Sequence, residues 1–197
     1  MSKIYGLTGG IASGKTTVLD ILADNGCKIF NADDIAREVV EVGTVGLNKI
    51  AASFGKNILL ADGSLDRKKM SQIVFSDKLQ LKKLTDITAP LIRQRILQIV
   101  ENIHSLDDKV IYIFEIPLLF ESDYQSYFDA VISIYVDSNT QLTRLMKRNN
   151  LDEQTAKKQI SSQMSMLEKK KLADFVIDNS GNLDELKIEV KTLLKNL

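Results

Sequence analysis

The chain has 197 residues, enough for one sizeable core carrying an insertion but not for two large domains. Lysine plus arginine and aspartate plus glutamate number 26 each, so no global basic field calls for a nucleic acid or an anionic membrane as partner. A single histidine and a single cysteine exclude, within one chain, a disulfide framework and zinc sites built from paired His or Cys, and any general base is expected to be a carboxylate.

No apolar run approaches the roughly 20 residues needed to span a bilayer. Met1-Ser2-Lys3 opens directly into an apolar strand with no signal-like stretch, so the expectation is a soluble, cytoplasmic protein.

The first expected strand is Ile4–Leu7. It is followed by Gly9-Gly10-Ile11-Ala12-Ser13-Gly14-Lys15-Thr16, a match to G-x-x-x-x-G-K-[ST]. The glycines let the backbone turn tightly and bring its N–H groups against phosphate oxygens. The next expected helix, Lys15–Asp24 with a stop at Asn25-Gly26, directs its positive end at the same anion. Lys15 suits the β- and γ-phosphates as a point charge, and the Thr16 hydroxyl suits Mg²⁺. The strand–loop–helix setting separates this reading from a glycine-rich turn with an incidental lysine. The loop alone does not choose between GTPases, ATPases and kinases, although no Asn-Lys-x-Asp guanine-reading motif is found.

The second expected strand, Cys27–Phe30, runs into Asn31-Ala32-Asp33-Asp34-Ile35-Ala36-Arg37. Ligands of open α/β sheets sit beyond the carboxyl ends of strands. Asp33 there can orient an attacking hydroxyl or take its proton, and Asp34 reads better as a helix cap; spacing leaves both readings open for the pair. Cys27 reads as a small buried apolar residue.

The stretch from about Asp34 to Lys109 is mostly helical in pattern and too long for one crossover, so it is expected to be an insertion holding a second substrate. Pro90 is expected in the first turn of a helix running to about Ile103, with Ile92, Ile96, Ile99 and Ile103 on one face. His104 at its end reads as a helix-terminal group.

Val110–Ile116 and Val131–Val136 are the next expected strands. Glu115 reads either as support for Mg²⁺, directly or through water, or as a strand-end surface group; Glu121 is equally ambiguous. Ser138-x-x-Gln141 and Ser165-x-x-Glu168 fit capping boxes. Arg144 and Arg148, four apart, share a helix face, which fits a phosphate clamp as well as a solvated surface. The run Lys169-Lys170-Lys171 reads as solvated surface, within a charged stretch of two or three short helices expected to form a lid. Phe175–Ile177 is the last expected strand, Asp178-Asn179-Ser180-Gly181 a loop near a nucleotide base or an ordinary turn, and Leu183–Leu197 the last helix. Strands that alternate with helices and are apolar on both faces predict an α/β protein with a parallel sheet.

Several of these runs together resemble the dephospho-CoA kinase family. They are Leu7–Thr16, Asn31–Val40, Asp62-Gly63-Ser64-Leu65-Asp66-Arg67, Pro117-Leu118-Leu119-Phe120-Glu121, Gln141-Leu142-x-Arg144-Leu145-x-x-Arg148 and Ile177–Gly181, in the family's order along nearly the whole chain. The resemblance implies a P-loop, nucleoside-monophosphate-kinase-like fold. Its core would be residues 1–33 and 108–197, with a lid at about 140–172 and an acceptor-binding helical insertion at 34–107. It implies transfer of the ATP γ-phosphate to the ribose 3′-hydroxyl of dephospho-CoA, with Mg²⁺. The residues it implies as catalytic are Asp33, Lys15 and Arg144. As nucleotide-binding it implies Gly9, Gly10, Ile11, Ala12, Ser13, Gly14, Lys15, Thr16, Thr17, Arg148 and Asn179, and as metal-binding Thr16, with Glu115 through water. The chain departs from the family's pattern at Asn31, where an acid is common, at Ala89, where histidine is common, and in Gln163–Met166, which lacks a common proline. Another small-molecule or nucleoside monophosphate kinase, and a nucleotide switch without turnover, are the competing expectations.

Overall fold

The computed structural model describes residues 2–106 and 108–197; Met1, and Asp107 at the expected end of the insertion, lie outside the described residues. The chain divides into two compact units, Met1–Asn31 with His104–Leu197, and Ala32–Ile103. Among the described residues no helix is long and apolar enough to cross a membrane.

The first unit is built on five parallel strands, β1 (Lys3–Gly9), β2 (Lys28–Asn31), β3 (Ile111–Glu115), β4 (Ala130–Tyr135) and β5 (Phe175–Asp178), in the order β2-β3-β1-β4-β5. This is the expected α/β sheet. The strand alternation sorts its two faces. Tyr5 and Leu7 of β1, with Ile113, Ile132, Ile134 and Ile177, pack on Val18, Leu19 and Leu22 of α1 (Lys15–Asp24) and on Leu186, Val190 and Leu193 near the C-terminus. Ile4, Gly6 and Thr8 alternate with that set along the strand. Cys27 is buried in the same core, and burial raises its thiol pKa, which fits an inert packing residue.

In the second unit lie α2 (Ala32–Glu38), α3 (Val45–Phe54), α4 (Arg67–Ser76) and most of α5 (Lys78–His104), around a core of Val40, Ile50, Ile58, Met70 and Val74. Thr44 caps α3 and Asp66 caps α4 by accepting from the Leu47 and Lys69 N–H groups. Pro90 does not open a helix; it lies inside α5, which extends 12 residues before it. An internal proline costs about 3 kcal/mol. Leu84 and Ile87 before it pack on the unit's core, and Ile96, Val100 and Ile103 after it are buried, so apolar burial on both sides offsets that cost.

Back in the first unit, α6 (Ser138–Asn149), α7 (Glu153–Ser161) and α8 (Met166–Leu172) follow β4, and α9 (Leu183–Leu194) follows β5. Ser138 is not the cap of α6. Asp137 is, because its carboxylate accepts from both Asn139 and Thr140 N–H. The Ser165–Glu168 capping box is present, and Asn182–Glu185 forms a second one.

Candidate nucleotide site

β1 ends at Gly9, and the chain turns through residues 10–14 into α1, so the loop lies at the carboxyl edge of the sheet. Gly14 has φ of 86°, and a Cβ there would stand 2.2 Å from the Asn179 amide nitrogen; only glycine fits. Ala12 also has positive φ, at 60°. The Lys15 ammonium donates to the Gly9 and Gly10 carbonyls at 3.0 and 3.2 Å, which folds it back over the loop. The Thr16 and Thr17 side chains are exposed at the start of α1, where the helix leaves its first N–H groups available to an anion.

Asn179 and Arg144 close one side of the loop. Asn179, just past β5 and buried, donates from its amide to Ser13 O at 2.8 Å. Arg144 of α6 donates to Asn179 O at 2.9 Å. With Gly14, Thr17, Gly181 and Asn182 they line a groove of about 290 Å³. Arg148, expected on the same face as Arg144, is exposed and donates to its neighbour Asn149, so the structure brings Arg144 to the loop and leaves Arg148 outside it.

Asn31, the last residue of β2, donates to Glu115 at the end of β3 at 2.5 Å. Glu115 is buried there rather than a surface group. Asp33 and Asp34 occupy the first turn of α2, where a carboxylate suits the helix's positive end. Asp34 is paired with Arg37 at 2.8 Å, and both Asp33 and Asp34 are exposed.

The loop also meets Gln141, Gln163 and Met166, none of them expected as loop contacts. The Ile11 N–H donates to the Gln163 carboxamide, and the Ile11 carbonyl accepts from Gln141, each at 2.9 Å. Met166 sulfur lies 3.2 Å from Gly10 N. Lys169, read as solvated, is fully buried: its ammonium pairs with Glu121 at 2.8 Å and donates to Pro117 O at 3.1 Å. Burial by itself would raise the Glu121 carboxyl pKa, but hydrogen bonds and charge from Lys169 outweigh it and hold it below the ordinary range. A lysine inside a basic run gives no sign of burial. Helix periodicity does, because Met166 and Lys169 stand three apart and both face inward on α8. Gln141 shares the α6 face of Arg144 and was legible in the same way; for Gln163, in a connection, no such signal exists.

As a holder of a nucleotide cation the site fits Mg²⁺ through hard oxygen donors, the exposed Thr16 hydroxyl and the Glu115 carboxylate at the strand ends. Among the described residues no group of three or more His, Cys, Asp or Glu is placed to hold a metal.

The dephospho-CoA kinase family profile matches residues 3–185. The chain is 45% identical over 195 residues to a dephospho-CoA kinase of Listeria innocua serovar 6a, covering 99% of this chain and 97% of that one. Among solved structures, a dephospho-CoA kinase from Campylobacter jejuni superposes with a TM-score of 0.79 at 34% identity, covering 100% of this chain and 97% of that one. The Thermus thermophilus protein TT1252 gives a TM-score of 0.75 at 28% identity, covering 100% and 98%.

Proposed function

This chain belongs to the dephospho-CoA kinase family, and we propose that it carries out the family's reaction, transfer of the ATP γ-phosphoryl group to the ribose 3′-hydroxyl of dephospho-CoA. The products are coenzyme A and ADP, and the reaction completes coenzyme A synthesis. The observation that carries this reading is the phosphate loop with Lys15 folded over it and Asn179 and Arg144 at its side.

In this account the loop amides and the N-terminus of α1 hold the α- and β-phosphates, and Lys15 swings from the Gly9 and Gly10 carbonyls onto the β- and γ-phosphates. The adenosine lies in the groove beside Gly14, Asn179 and Gly181. Thr16, with Glu115 through water, would hold Mg²⁺, which when bound would supply charge neutralisation on the phosphates. The acceptor is held by the helical unit, where a cavity of about 300 Å³ lined by Val40, Met70, Val74, Phe75 and Thr88 suits an apolar arm, with Arg67 at its wall for an anionic group. Asp33, two residues beyond the end of β2, accepts the 3′-hydroxyl proton. The hydroxyl oxygen bonds to the γ-phosphorus as the bond to the β-phosphate bridging oxygen breaks, and ADP leaves. The loose transition state asks little basicity of that carboxylate. Arg144 stabilises charge on the transferring group, and Arg148 joins it once nucleotide is bound. Both substrates are soluble metabolites, and we assign the reaction to the cytoplasm on that ground.

The test is to incubate the purified chain with Mg·ATP and dephospho-CoA and read coenzyme A by mass spectrometry. Product that disappears in Lys15→Met is the expected result. Turnover of a nucleoside monophosphate in place of dephospho-CoA, or ATP binding with no product from any acceptor, would overturn the reading.

A further inference from the structure

The Glu121 carboxylate is shared by two points of the segment that follows α7. One oxygen accepts from Met164 N–H at 3.1 Å, and the other is bonded by the Lys169 ammonium at 2.8 Å. That ammonium is completely buried and reaches Pro117 O at 3.1 Å and the Thr8 hydroxyl at 3.5 Å. Thr8 is the residue immediately before Gly9, so the pair sits where β1 launches the phosphate loop. An apolar side chain of similar length would fill such a position at no desolvation cost. A buried charge with a carboxylate and a carbonyl fixed around it specifies geometry instead. What it fixes is the turn between α7 and α8, and the turn carries Gln163, whose carboxamide holds Ile11 N–H while Gln141 holds Ile11 O. The fit is close on this side of the loop: a Cβ on Gly10 would lie 2.9 Å from Met166 sulfur and 3.0 Å from the Gln141 amide nitrogen.

We infer that Glu121, Lys169 and Gln163 form a positioning unit for phosphoryl transfer, in which the buried ion pair sets the turn and Gln163 on that turn sets the Ile11 peptide, and so the conformation in which the loop meets phosphate. The inference rests on the nucleotide reading of the loop given above. None of the three touches the reacting atoms; they act through the loop.

The test pairs two variants with a titration that needs no acceptor. Removing one charge strands the other, so Glu121→Gln and Lys169→Met are combined in one double variant that buries neither. Gln163→Ala removes the partner of Ile11 N–H and leaves the ion pair intact. Mg·ADP affinity by calorimetry, melting temperature, and KM for dephospho-CoA are measured on each. The double variant is expected to melt within a few degrees of the unaltered chain and to bind Mg·ADP about tenfold more weakly, and Gln163→Ala about fivefold more weakly, the range one lost hydrogen bond produces. KM for dephospho-CoA should stay within about twofold, since the loop and not the acceptor site is disturbed. A double variant that melts and binds Mg·ADP as the unaltered chain does would reduce the pair to scaffold and overturn the inference. Should the double variant not fold, Gln163→Ala decides alone: unchanged affinity overturns the inference and weakened affinity at unchanged melting temperature supports it. Failure of the unaltered chain to bind Mg·ADP would instead overturn the nucleotide reading beneath it.

Discussion

In the function proposed above, the phosphate loop and the helical unit each hold part of a substrate, by opposite means. In the loop the binding groups are backbone amides and the residues that matter are consecutive, Gly9 to Thr16, between β1 and α1. In the helical unit the cavity is lined by side chains from α2, α3, α4 and α5, as far apart in the chain as Ala36 and Ile92. A site made of backbone needs particular conformations, and therefore particular residues in order. A site made of side-chain surface needs only shape and polarity, and its residues scatter along the chain.

That contrast makes unequal demands on substitution. Gly14→Ala places a Cβ 2.2 Å from the Asn179 amide at a positive φ, and is expected to cut Mg·ADP affinity by about a hundredfold through strain of roughly 1–3 kcal/mol and the displaced asparagine; titration calorimetry measures it. Ile58→Ala, in the fully buried core of the helical unit, should cost about 2–4 kcal/mol of that unit's stability in denaturant unfolding or hydrogen exchange. It should leave Mg·ADP affinity unchanged, because Ile58 and the loop belong to different compact units. A smaller effect concerns acid. The Glu121 pKa is lowered in the folded chain, so its stabilisation is complete above the ordinary carboxylate value of 4.5 and is lost as pH falls from there through the lowered one. Melting temperature followed below pH 5 should therefore drop less in the Glu121→Gln/Lys169→Met double variant than in the unaltered chain.

What could be read in advance follows the same division. All five strands lie within a residue or two of their expected places, because strands covered on both faces are apolar throughout. The order β2-β3-β1-β4-β5 was not readable, since it depends on pairing between distant segments, such as Tyr5 with Ala130. The loop was spelled in eight residues. Its supports were not: Gln141 and Gln163 are separated from Ile11 by 130 and 152 residues. Lys169 was misread because a basic run is usually solvated, and only the ion pair with Glu121, 48 residues away, makes its burial tolerable. Pro90 was misplaced because local rules put proline at helix starts, whereas packing on both sides carries α5 through it.

We assign nucleotide binding to the loop and proton acceptance to Asp33. The most direct test measures both on Asp33→Asn: Mg·ATP affinity by titration and coenzyme A formation by single-turnover assay. Affinity should stay within about twofold of the unaltered chain and turnover should fall by about 10²–10⁴. Turnover that survives the substitution would contradict it and remove Asp33 from the chemistry.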